Sequence, residues 1–146
     1  MEVTESAYAD SPQRIINVVE ELRHAGFVIY MDDFGSGYSS FNTLQQIPID
    51  VLKLDMKFLS GFTTNNKSRV VLSSIVHMAK ELGIPVIAEG VETREECDYL
   101  RSIHCKYIQG YYFSPPLSEA AFTRLLDSLP PQDEAAAAAC RQPENV

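Results

Sequence analysis

The sequence predicts an α/β protein whose parallel sheet and outer helices form part of a (β/α) TIM-like barrel. Two observations predict it. Short strand-like runs alternate five times with helical ones, and such alternation lays parallel strands beneath crossover helices. The count then stops at five within 146 residues, whereas an eight-stranded barrel takes about 250. Because the chain also opens inside a strand-like run, the expectation is the last five β/α units of a barrel. An independent five-stranded open sheet is the competing architecture.

Residues 1–4 are the first strand. Residues 11–24 form a helix with Ile15, Val18, Val19 and Leu22 on one face and Gly26 just past its end. The unbroken apolar run 27–31 has the pattern of a strand covered on both faces. After a glycine-rich turn, residues 39–46 make a short helix ended by Pro48, and residues 51–55 are the third strand. Residues 66–82 form a longer helix with Val71, Ile75, Met78 and Leu82 in line, stopped by Gly83. Residues 85–88 are the fourth strand, with proline at its tolerated first position. Thr93 with Glu96 three residues on is a capping box, opening a helix that runs to about Ser102. Residues 107–113 are the fifth strand, and a last helix starts at Ser118 with Phe122, Leu125, Leu126 and Leu129 as its apolar side. From Pro130 the composition changes to prolines and five consecutive alanines, so residues 130–146 are expected to be a disordered tail beyond a domain of 1–129.

Composition narrows the function. Twelve Lys and Arg against twenty Asp and Glu give a net charge of −8, which leaves no broad cationic surface for duplex nucleic acid or acidic lipid. The apolar runs are far shorter than the roughly 20 residues a membrane helix needs. Met1-Glu2 opens no charged-then-apolar leader. Three cysteines, Cys97, Cys105 and Cys140, without C-x-x-C spacing fit reduced thiols rather than a disulfide framework or zinc knuckle. A cytoplasmic location is expected.

Polar residues gather where the predicted strands end. Glu2 and Glu5 lie on or just after the first, Asp32 and Asp33 follow the second, Lys53 and Asp55 close the third, Glu89 ends the fourth, and Gln109 sits within the fifth. In parallel α/β folds those ends and the following loops build the active site. A single acid at a strand end is usually a helix cap, but carboxylates held together at four strand ends repel one another unless neutralised. A hard divalent cation such as Mg²⁺ or Mn²⁺ suits an all-oxygen set. Adjacent Asp32 and Asp33 could bridge two such ions, as two-metal phosphoryl chemistry requires. His24, His77 and His104 fall on helices or their ends, away from this rim, which disfavours zinc.

The segment Asp32-Asp33-Phe34-Gly35-Ser36-Gly37-Tyr38-Ser39-Ser40 adds a loop. Its glycines permit left-handed backbone, and Ser39 or Ser40 could cap the next helix and leave amides facing the rim. A plain turn explains G-x-G equally well. The D-F-G triplet alone does not make a protein kinase, since the other kinase motifs are absent.

In order along the chain, these motifs resemble those of the EAL domains, bacterial phosphodiesterases of cyclic di-GMP. Residues 2–6 are similar to the family's E-x-T-E segment, 32–40 to its D-D-F-G-x-G loop, 53–55 to its K-x-D strand, and 88–93 and 109–111 to its two C-terminal signatures. The resemblance implies that Glu2 and Asp32 ligate a first Mg²⁺ or Mn²⁺ and that Asp32 with Asp33 binds a second. Lys53 would hold the attacking water or offset phosphate charge. Glu89 would be general base or second-metal partner, and Gln109 would orient water at the metal. Glu5 would anchor the loop that includes Phe34, Gly35, Ser36 and Gly37, with Asp55 supporting from behind. The implied reaction is hydrolysis of cyclic di-GMP to linear 5′-pGpG.

Two departures stand out. The Glu-Ala-Leu signature and a metal-binding asparagine, both upstream in the family, have no counterpart here, and Lys106 replaces a frequent aspartate. The expectation is therefore a chain truncated at its N-terminus and inactive alone, with a second copy or a partner domain completing the barrel. The alternative is a degenerate module that binds nucleotide or protein without turnover.

Overall fold

Five parallel strands lie side by side in their order along the chain: β1 (Glu2–Thr4), β2 (Tyr30–Asp32), β3 (Val51–Asp55), β4 (Val86–Glu89) and β5 (Tyr107–Ile108). The computed structural model describes residues 1–34, 41–56 and 66–128, without the side chains of residues 5, 9 and 41–43. An open doubly wound sheet reverses its strand order at a switch point. Here no reversal occurs among the described strands, so right-handed crossovers carry the helices that connect them to one side. That is the arrangement of a barrel segment, and it decides between the two architectures left open by the sequence.

The helices are α1 (Glu5–Asp10), α2 (Pro12–His24), α3 (Phe41–Gln46), α4 (Asn66–Glu81), α5 (Arg94–Ser102) and α6 (Glu119–Ser128). The chain divides into two compact units, Met1–Phe113 and Ser114–Val146. In the second, α6 has no buried side chain. In the first, Met31, Leu52, Leu54, Val86 and Ala88 alternate along β2, β3 and β4 and bury completely or nearly so, in one cluster with Val19 of α2, Leu72, Val76 and Ala79 of α4, and Leu100 of α5. Burying each large member of that cluster stabilises the fold by roughly 1.5–3 kcal/mol.

Several expectations are corrected. The run 27–31 is not a doubly covered strand: Phe27 and Val28 are 55% and 50% exposed, and pairing begins only at Tyr30. The reason lies in a residue distant in sequence, since the Ile29 amide is taken by the Asp50 carboxylate (2.8 Å) before the ladder starts. The fifth strand closes at Ile108, because residues 110–113 turn across the loop that follows β4, with the Tyr112 amide bonded to Val91 O (3.0 Å). Gln109 therefore lies just past the strand rather than within it. On α4 the buried stripe is Leu72, Val76 and Ala79, while Val71 and Leu82 are exposed, a rotation of about one residue from the expected face. On α2 Val19 is buried and Val18 exposed. Residues 5–10, unassigned from the sequence, form α1, capped by the Thr4 hydroxyl. Leu129 and the tail 130–146 lie outside the described residues.

Candidate active site

Strand parity builds the site. Side chains alternate across a sheet, and the register pairs Glu2 with Tyr30, Tyr30 with Val51, Lys53 with Ile87 and Asp55 with Glu89. Glu2, Asp32, Lys53, Asp55 and Glu89 therefore share the face opposite the buried Met31–Leu52–Leu54–Ala88 layer. Residues from four strands, far apart in sequence, are carried to one rim without any loop contributing.

At its centre is Lys53. Its ammonium donates to Glu2 Oε1 at 2.8 Å and lies 3.2 Å from Asp32 Oδ1 and 3.3 Å from Glu89 Oε1. The lysine side chain is only 11% exposed. Burial alone would lower its affinity for the proton. Hydrogen bonds to Glu2, Asp32 and Glu89, with the charge of Glu89, outweigh burial and hold Lys53 above the ordinary lysine range, so it carries its charge at neutral pH.

The other sequence candidates take separate places. Asp33 is exposed, with left-handed backbone (φ 56°), its amide held by Asp32 Oδ1 at 3.0 Å. Aspartate tolerates that conformation better than most residues, and it turns the chain sharply after β2. Phe34 folds back and is 5% exposed, part of the hydrophobic core rather than the rim. Asp55 sits at the end of β3 beside Glu89. Gln109 follows β5 with its amide on Ala88 O (2.8 Å), next to Glu89, and its carbonyl accepts from the Val91 amide (3.1 Å). Glu5 begins α1, its side chain outside the described residues, as are Gly35, Ser36 and Gly37 with the remainder of that loop.

Sequence reasoning treated Gly90 and Gly110 only as motif letters, yet both have a physical task. Gly90 has φ +77°, and a Cβ there would stand 3.3 Å from Asp55 Oδ1. A Cβ on Gly110 would overlap the backbone of Val91, within 2.7 Å of its carbonyl carbon. The signal available was their position, each directly after a rim residue. Asp50 was also missed: it clamps the Ile29 amide and pairs with Arg23 at 2.9 Å, fixing the entrance to β2.

Do these residues suit a divalent cation? Three carboxylates already converge on one positive charge, and all the donors are oxygen, the chemistry a hard ion takes. Among the described residues, no three His, Cys, Asp or Glu side chains are disposed to hold one metal ion as they stand. They are arranged about the ammonium. The donor set fits a cation, and the cation it surrounds is Lys53.

Comparison with known proteins bears on this arrangement. The family model "EAL domain" matches residues 1–116. The chain belongs to the EAL domain family. The cyclic di-GMP phosphodiesterase NbdA of Pseudomonas aeruginosa is 39% identical over 136 residues, covering 90% of this chain and 17% of NbdA. The EAL enzyme Bd1971, solved with cAMP and cyclic di-GMP bound, superposes with a TM-score of 0.79 at 38% identity, over 86% of this chain and 33% of that one. BlrP1 of Klebsiella pneumoniae, solved as a manganese and cyclic di-GMP complex, gives a TM-score of 0.73 at 36% identity, over 79% of this chain and 29% of BlrP1. This EAL chain thus spans a third or less of each of these relatives, and its sheet is a partial TIM-like barrel of the EAL kind. Among the described residues no helix is long and apolar enough to cross a membrane.

Proposed function

We propose that this chain is part of a metal-dependent cyclic di-GMP phosphodiesterase domain that opens one phosphodiester to give linear 5′-pGpG. The observation that carries the reading is the gathering of Glu2, Asp32 and Glu89 around Lys53 on one rim, in a chain whose relatives include a cyclic di-GMP phosphodiesterase.

In this reading Glu2, Asp32 and Asp33 hold Mg²⁺ or Mn²⁺. When bound, the ion supplies Lewis-acid charge and lowers the pKa of water. Glu89 takes the proton from the attacking water. Lys53, charged at neutral pH, offsets negative charge on the phosphate. Gln109, fixed through its backbone beside Glu89, orients the water, and Asp55 supports the same rim. Phe34, held in the core, begins the loop that continues through Gly35, Ser36 and Gly37, and Glu5 anchors that loop. Net charge −8 argues against duplex nucleic acid as ligand.

The chain by itself is proposed to be inactive. It covers 33% of Bd1971, and the described acids surround a lysine rather than a metal position. A second copy or a partner domain would pair with β1 and β5, which end the described sheet. The free thiols of Cys97 and Cys105 accord with a cytoplasmic setting.

The test is hydrolysis of cyclic di-GMP with Mn²⁺ by this chain alone and by the chain joined to the upstream part of an EAL barrel, about 100 residues. Turnover only in the longer protein is expected. Turnover by the short chain overturns its inactivity. Saturable binding without turnover in the longer protein overturns the enzymatic reading and favours a degenerate receptor.

A further inference from the structure

The carboxylates of the rim already have a cation. Three of them, from three different strands, lie within 3.3 Å of the same ammonium, and the lysine side chain that carries it is 11% exposed. A divalent ion drawn to those oxygens would meet Lys53 a few ångströms away, and two cations at such range repel strongly. Geometry offers the escape. Lys53 rides on a flexible four-carbon stem, and its shortest partner, Glu2, is 57% exposed and so the freest of the three to turn away.

We propose that Lys53 is the resident counter-ion of the metal-free site, and that a divalent ion enters by displacing its ammonium from Glu2 and Asp32. This rests on the metal-dependent reading of the rim given above and deepens it. Metal affinity is then the free energy of an exchange, not of filling an empty cluster. The lysine offsets part of the rim's negative charge while no metal is bound, and a divalent ion takes over that task on displacing it.

Two measurements on the full chain test the exchange. In the first, Mn²⁺ binding is followed by calorimetry for the wild type, Lys53→Met and Lys53→Arg. Removing the charge is expected to tighten Mn²⁺ binding by about tenfold or more, with the arginine variant close to wild type. Melting in EDTA and in Mn²⁺ should show Lys53→Met less stable without metal and gaining more from it.

In the second measurement, the Lys53 ammonium resonance of the wild type is followed by NMR during titration with diamagnetic Mg²⁺. Its shift and loss of protection from solvent exchange at saturation are expected. This reading does not depend on a variant that folds.

Equal or weaker Mn²⁺ binding by Lys53→Met, or an ammonium resonance unmoved at Mg²⁺ saturation, overturns the exchange and leaves the metal site standing. Absence of metal binding in the wild-type chain overturns the exchange, whereas the metal reading of the domain is decided separately by the Mn²⁺ hydrolysis test on the longer protein.

Discussion

Lys53 and Glu89 meet diagonally, not directly. On the β3–β4 ladder Lys53 pairs with Ile87, and Glu89 reaches back from two residues further on to place its carboxylate 3.3 Å from the ammonium. The diagonal exists because both residues lie on the same side of the pleat. A slip of one residue between these strands would move either side chain to the opposite face. In the longer EAL protein, Glu89→Gln keeps the shape and removes the proposed proton acceptor. Hydrolysis of cyclic di-GMP, measured by chromatography of the product, is expected to fall at least about 100-fold, with nucleotide binding retained.

Gly110 lies against the Val91 backbone in a space that no side chain could share. Its missing side chain lets the turn after β5 cross the backbone after β4, where the Val91 amide bonds Gln109 O (3.1 Å) and Val91 O accepts from Tyr112 (3.0 Å). The obstacle is backbone, so no side-chain rotation relieves it. Gly110→Ala should cost about 3 kcal/mol or more, read as a lower urea midpoint. Gly90→Ala meets a side-chain oxygen at 3.3 Å and a strained φ, so it should cost less, about 1–2 kcal/mol.

The Asp50 carboxylate does two jobs of unequal weight. One oxygen accepts from the amide of fully buried Ile29, and the other pairs with Arg23, whose side chain is 44% exposed. Losing a surface pair is worth at most about 1 kcal/mol, whereas an unpaired buried amide costs about 1–3 kcal/mol. Asp50→Ala should therefore destabilise clearly more than Arg23→Ala in matched denaturant titrations. Equal losses would mean that the Ile29 amide finds another partner.

The contrast between β3 and the strands β2 and β5 shows what the sequence made legible. The sequence places β3 at residues 51–55 to the residue because Leu52 and Leu54 alternate with polar Lys53 and Asp55, a period of two that only a strand satisfies. Residues 27–31 are apolar throughout and residues 107–113 mix aromatics with Gln109 and Gly110, neither with a period of two, and nothing in such a run says where pairing stops. In both cases a distant residue decides it: Asp50 captures the Ile29 amide, and Val91 the turn after Gln109. The rim was legible in the same measure. Acids at successive strand ends announced a charged cluster, but that Lys53 would be its centre depends on register, which is a property of pairs of strands. Phe34 was expected with the loop and lies in the core, because a lone aromatic among glycines carries no periodicity to place it.

The capping box at α5, legible in four letters, closes with full reciprocity. Thr93 Oγ1 accepts from the Glu96 amide (3.2 Å), and Glu96 Oε2 accepts from the Thr93 and Glu92 amides at 3.0 and 2.9 Å. Thr93→Ala should cost about 1 kcal/mol and speed amide hydrogen exchange in the first turn of α5 before elsewhere. Uniform acceleration across the chain would point to a global effect instead.

Cys105 gives the fold a pH dependence at the alkaline side. Its thiol is buried behind β4 and β5, and burial raises its pKa more than hydrogen bonds to the Tyr107 and Ala88 backbone lower it. The unfolded thiol ionises near pH 8.5, so above that point the unfolded chain binds fewer protons than the folded one. Linkage then makes stability fall as pH rises, whereas below that range the contribution is fully present. Urea midpoints between pH 7.5 and 10 should decline less for Cys105→Ala than for the wild type, although the variant starts lower because it leaves a small void. Parallel declines would assign the alkaline loss to other groups. The same burial predicts that a thiol reagent labels Cys105 only as fast as β4 and β5 open, a rate that mild urea should raise.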